Sequence, residues 1–136
     1  MKTDFVIKKN PLGNDVYLCA YLGKETVVEV PEGVTFIRSY AFADEDNPNN
    51  IITKIILPDT VNQVDTAAFA YCKALKDIQW PHNKDFRTWG VHLFQGCESL
   101  EEISLPDSIQ TIINFQVPPT LKTLEIHNDI TAISQC

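Results

Sequence analysis

The sequence predicts a solenoid, a single domain in which about five short coils stack so that one strand from each joins a continuous parallel sheet, with short helical or irregular turns opposite. Three observations predict it. Short apolar strands end at Pro31, Pro58, Pro81, Pro106 and His127, at intervals of 27, 23, 25 and 21 residues. The last four are preceded by apolar triplets with the spacing LxxLxL: Ile52/Ile55/Leu57, Leu75/Ile78/Trp80, Leu100/Ile103/Leu105 and Leu121/Leu124/Ile126. Further apolar residues follow the anchors at matching offsets, and the phenylalanines Phe42, Phe69, Phe94 and Phe115 come next in turn.

Taken in order, the elements keep one register. Around Phe5 to Ile7 and Val16 to Tyr21 the chain reads as a strand pair, so residues 1–26 form capping strands ahead of repeats over 27–136. The first coil, "VVEVPEGV", continues to Val34, Ile37 and Phe42, then holds about four extra residues in the polar loop "DEDNPNN". In the second coil Val61 and Val64 stand three and six residues past Pro58, ahead of Phe69. The third coil carries Phe86, Trp89, Phe94 and Leu100 all displaced by two, which one insertion near Asn83 and Lys84 explains. Trp80 and Trp89 then fall where Leu57 and Val64 stood one coil earlier, which places both in the core. The fourth coil has Ile109 and Ile112 but is two residues short before Phe115, and the fifth has Ile130 and Ile133. Gly33, Thr60, Asn83, Ser108 and Asp129 sit two past the anchors, where backbone freedom or a short polar side chain closes a turn. At Cys136 the chain stops where the next outer turn should begin, so either the array is truncated or the last coil is closed by something else, such as a second copy of the chain.

The period-2 alternation in "ITKIILP" and "LEEISLP" separates inward from outward strand positions, with successive strands about 4.8 Å apart. The outward set is Val27, Glu29, Lys54, Ile56, Asp77, Gln79, Glu102, Ser104, Thr123 and Glu125, holding four acids and one lysine. Glu32, Asp59 and Asp107 extend the negative potential at the turns. These acids suit a basic protein or peptide; alternatively they only solvate an exposed face.

Composition narrows the function classes. With 11 basic and 18 acidic residues among 136, the formal charge of −7 repels nucleic acid and anionic membranes. No stretch approaches the roughly 18 apolar residues of a membrane helix, and "MKTDFVIKKN" has no apolar leader core, so the expectation is a cytoplasmic protein without membrane insertion. If the chain is a fragment, a secreted or surface location is the alternative. Cys19, Cys72, Cys97 and Cys136 lie far apart with no CxxC pair, which favours reduced thiols over a disulfide or zinc framework.

The stretch "LPDTVNQVDTAAFAYCKALKDIQWP" resembles the BspA-like leucine-rich repeat family, whose units read approximately LPxxVxxIxxxAFxxCxxLxxIxLP. The resemblance covers Val27 to about Ile133 and rests on Leu57, Pro58, Val61, Val64, Ala68, Phe69, Cys72, Leu75 and Ile78, then Phe94, Cys97, Leu100, Ile103, Leu105 and Pro106. The fourth unit departs from it, with Pro118 in place of the cysteine. What the resemblance implies is a leucine-rich repeat solenoid that binds other proteins, often in bacterial surface or secreted proteins, and no catalytic residue. The alternative function is a structural or adhesive segment of a surface protein that binds host matrix or glycan.

The remaining candidates weigh less. Within "WPHNKDFRTWGVHLF", His82, Lys84 and Arg87 form a turn patch able to meet an acidic or aromatic ligand. Cys72 and Cys97 occupy one site in successive coils and suit a tight buried turn. His82, His92 and His127 show no HxxxH or HExxH grouping, and no glycine-rich phosphate loop occurs among five glycines. No enzyme activity, metal or cofactor is therefore expected.

Overall fold

The structure is a computed structural model that describes residues 4–88, 92–104, 111–113, 120–125 and 132–134. Its strands are β1 (Phe5–Lys9), β2 (Val16–Tyr21), β3 (Val27–Glu29), β4 (Phe36–Ile37), β5 (Lys54–Ile56), β6 (Gln63–Val64), β7 (Asp77–Gln79), β8 (Arg87–Thr88), β9 (Glu102–Ser104), β10 (Thr111–Ile113), β11 (Thr123–Glu125) and β12 (Ala132–Ser134). Among the described residues there is no helix, and so none long and apolar enough to cross a membrane.

Coils stack through two parallel ladders rather than the single sheet expected. The first ladder runs β3-β5-β7, with β9 and β11 paired further along. The second runs β1-β2-β4-β6-β8, with β10 and β12 paired. Among the described residues every strand pairing is parallel except β1 with β2. Segments expected to be helical or irregular turns are thus partly strands of two or three residues, because a buried backbone must find partners and the next coil offers the same groups in register. The antiparallel strand pair appears where expected, and β2 also pairs parallel to β4, which makes it the first rung of the second ladder.

Register confirms the inward row of the first ladder: Val28, Ile55 and Ile78 pair in sequence and are buried, as are Ile52, Leu57, Leu75, Trp80 and Leu100. In the second ladder Leu18, Ile37 and Val64 align and are buried. One expectation needs correction. Val64 pairs with Thr88, one residue ahead of Trp89, which itself lies outside the described residues. The difference arises after the turn, since Phe86 N donates to Asn83 O at 3.0 Å just as Val61 N donates to Pro58 O at 3.1 Å. Phe86 therefore takes the place of Val61, but the next strand begins one residue sooner.

Along the core runs a file of rings. Phe5 meets Tyr21 at 5.0 Å, Tyr21 meets Phe42 at 6.1 Å, Phe42 meets Phe69 at 5.9 Å and Phe69 meets Phe94 at 6.1 Å, each between centroids. Trp80 packs against Phe69 and Phe86. Positive backbone φ brackets the inner phenylalanines: Tyr40 (55°), Ala67 (60°) and His92 (52°) stand two residues before a phenylalanine, and Tyr71 (62°) and Gly96 (75°) two after. Such angles reverse the chain sharply and aim the ring inward. The polar loop of the first coil is absorbed between Phe42 and Asn49, and Asn49 pairs in parallel with Cys72. Its side-chain oxygen accepts from Ile51 N and Ile52 N at 2.8 and 2.9 Å, closing the longer loop. The expected unclosed coil at Cys136 lies outside the described residues.

Candidate binding face

Outward residues of the first ladder form two columns. Val27, Lys54 and Asp77 align in one, Glu29, Ile56 and Gln79 in the other. The three-residue strands carry one inward side chain each, so their first and third positions must face out. Val27, Glu29, Asp77 and Gln79 are exposed, while Lys54 and Ile56 are half-buried. Farther along, Glu102 pairs with Thr123 and Ser104 with Glu125; Glu102 and Thr123 are exposed, and the side chains of Ser104 and Glu125 lie outside the described part.

The face is less uniformly negative than the sequence implies. Lys54 Nζ lies 3.5 Å from Asp77 Oδ2, so the cation neutralises its cross-strand neighbour. Among the described residues Glu29 and Glu102 carry no ion pair, and they hold the remaining charge. Asp59 serves the scaffold, its Oδ1 accepting from His82 N at 2.8 Å in the next coil. Glu32 is exposed beside the first turn, and Asp107 lies outside the described residues.

The irregular turn is a built joint between coils. Asn83 Nδ2 donates to Asp59 O, Val61 O and Asn62 Oδ1 at 3.1, 3.1 and 2.8 Å, so one side chain ties the inserted turn to the coil before it. His82 and Lys84 are exposed on that turn; Arg87 is in β8 opposite Gln63, and its side chain lies outside the described part. Trp80 is in the core, as the register requires.

Cys72 and Cys97 stack as buried thiols, and Cys97 Sγ donates to Phe69 O at 3.3 Å. Burial pushes the Cys97 thiol up to about 12 and raises Cys72 further, with Cys97 adding to that rise. Both stay protonated near neutrality and lack nucleophilic character.

Sequence reasoning missed the outer side of the second ladder. There Tyr17 pairs with Phe36, their rings 5.3 Å apart, and the Arg38 guanidinium sits 5.5 Å from the Tyr17 ring centre. Reading "TFIR" with the alternation applied to the longer strands would have found it.

Comparison with known proteins agrees with this geometry. The sequence model for the BspA type leucine-rich repeat region matches six copies over residues 16–136, its start coinciding with β2. No curated protein matches the chain. Among solved structures, a leucine-rich repeat protein from Bacteroides capillosus is 25% identical with a TM-score of 0.67, covering 92% of this chain and 95% of that one. A leucine rich cell surface protein from Faecalibacterium prausnitzii is 25% identical with a TM-score of 0.64, and the match covers 93% of this chain but only 38% of that one. A leucine-rich repeat protein from T. pallidum, 15% identical with a TM-score of 0.52 over 98% of this chain and 85% of that one, shares the fold. With matching repeats over most of its length and the stacking they encode, the chain belongs to the BspA-type leucine-rich repeat family.

Proposed function

We propose that the chain is a non-catalytic protein-interaction module that presents the outward face of its first ladder to a basic segment of another protein. Leucine-rich repeat proteins are generally modules of this kind, which supports the class but not the partner. The observation that carries the reading is the exposed outward face on which, among the described residues, Glu29 and Glu102 carry no ion pair while Lys54 pairs with Asp77. Rigid strands hold these side chains at fixed spacing, so little conformational freedom is lost on binding. The test is affinity capture from native lysate and from extracellular material with two baits, the native chain and a variant carrying Glu29→Lys, Asp77→Lys, Glu102→Lys and Glu125→Lys. A protein held by the native chain and released by the variant is the expected result. Equal retention by both baits removes the acidic face from the reading.

A second reading has its own support. The similar protein from F. prausnitzii is named a cell surface protein and is much longer than this chain, which favours an adhesive segment of a surface protein that binds matrix or glycan. Binding to immobilised matrix proteins or glycans that survives the four charge reversals would select it over the first.

A further inference from the structure

The two ladders begin differently. The second starts with β1, an antiparallel strand whose register shifts between Val6 and Ile7 and whose last residues, Lys8 and Lys9, are exposed. A bulge and charged residues on an edge both discourage a further strand from adding. The first ladder starts with β3, and among the described residues nothing pairs with its far edge. Val27–Glu29 contains no lysine, proline or register shift.

Pairing with β5 determines which backbone groups are free. Lys54 N donates to Thr26 O at 3.2 Å and Val30 N donates to Ile56 O at 3.0 Å, so residues 26, 28 and 30 direct their groups toward β5. In a parallel ladder the alternate residues point the other way, which leaves the N–H and C=O groups of Val27 and Glu29 on the open edge. The same two residues expose their side chains, Val27 at 45%, and Leu22 just upstream is 67% exposed. Around them Glu25, Glu29 and Glu32 are exposed, against the single cation Lys24 within residues 22–32.

We propose that the open edge of β3 takes up an extended basic segment of a partner protein as an additional strand. This rests on the acidic-face reading and extends it: backbone pairing supplies the register, and alternate side chains of the incoming segment lie beside Val27 and Glu29. Charge selects the occupant. A second copy of a chain with net charge −7 would set the same glutamates against each other, whereas lysine or arginine at alternate positions meets them favourably.

The test uses the whole chain and a short synthetic peptide alternating lysine and threonine. In the free protein, hydrogen exchange followed by NMR should show unprotected amides at Val27 and Glu29 and a protected one at Val28. Adding the peptide should protect Val27 and Glu29. A peptide N-methylated at every residue keeps its charge but loses the donors on both edges, and its affinity should fall about tenfold, the scale of one or two net hydrogen bonds. Val27→Pro, which removes an edge N–H without touching the β5 pairing, should do the same from the protein side. Protection of Val27 and Glu29 before any peptide is added overturns the proposal, as does equal binding of the N-methylated peptide. Edge protection that appears with chain concentration and dimer formation overturns it in favour of a second copy. If Glu29→Lys with Glu32→Lys abolishes peptide binding while N-methylation does not, the acidic-face reading stands and the edge proposal falls. Indifference to those reversals takes down both.

Discussion

At the scale of single residues, the strongest constraints come from places where chemistry and backbone geometry coincide. Cys97 and Cys72 are closed off by the coils around them, so a thiol reagent at neutral pH should modify half-buried Cys19 and leave both unreacted in the native protein. Fast labelling of either, followed by mass spectrometry, would contradict their burial. A pH dependence follows from the same groups. A thiol of ordinary pKa 9.0 raised to about 12 holds its proton longer in the folded chain than in the unfolded one. Its stabilising contribution is complete below pH 9.0 and is lost as pH rises toward about 12, so urea midpoints should fall across that window, less so in Cys97→Ala. Backbone geometry makes a second demand. A Cβ on Gly96, where φ is +75°, would lie 2.5 Å from the Tyr71 ring, whereas one on Gly33, at +97°, meets nothing within 4 Å. Gly96→Ala should therefore lower stability by more than the left-handed strain of about 1–2 kcal/mol that Gly33→Ala incurs, measured as paired denaturation curves.

At the scale of elements, the file of rings decides how coils communicate. Phe69 touches Phe42 on one side and Phe94 on the other, and it is fully buried. Phe69→Ala should cost about 3–5 kcal/mol, because stacked coils cannot collapse into the space without losing strand register. A variant within about 1 kcal/mol of the native chain by urea denaturation would show that the rings are not what holds the coils together. Much of this arrangement was legible in the sequence. The LxxLxL triplets and phenylalanines place Ile52, Ile55, Leu57, Leu75, Ile78 and Phe69 in the core, and all six are buried. The second ladder was not legible, because Phe36–Ile37 and Gln63–Val64 are too short to display an alternation and exist only through pairing with the next coil. For the same reason counting aligns Trp89 with Val64, whereas the strand after the inserted turn begins one residue early and pairs Thr88 there instead. Asn49 standing opposite Cys72 is equally hidden, since four extra residues separate it from the offset the other coils keep.

At the scale of the whole molecule, stacking converts local sequence differences into a charge pattern along one face, and that pattern was only partly legible. Counting outward residues identified Glu29, Asp77 and Glu102, but not that Lys54 lies within ion-pair distance of Asp77 and removes much of its field. Because both side chains of that pair are substantially exposed, at 38% and 57%, its contribution to folding is about 0–1 kcal/mol. Its contribution to the external potential is larger, since it is the one place where a cation interrupts the described acidic columns. Lys54→Ala should thus leave the urea midpoint nearly unchanged while raising the association rate with a basic peptide. The gain should shrink as salt shortens the Debye length from about 10 Å at 0.1 M toward about 3 Å at 1 M. Stopped-flow association with the lysine–threonine peptide across that salt range separates the two roles. A rate that falls with salt, rises with Lys54→Ala and drops with Glu29→Lys is the signature of a face working through its charge. A rate indifferent to all three would mean that the acids only keep the strands in solution.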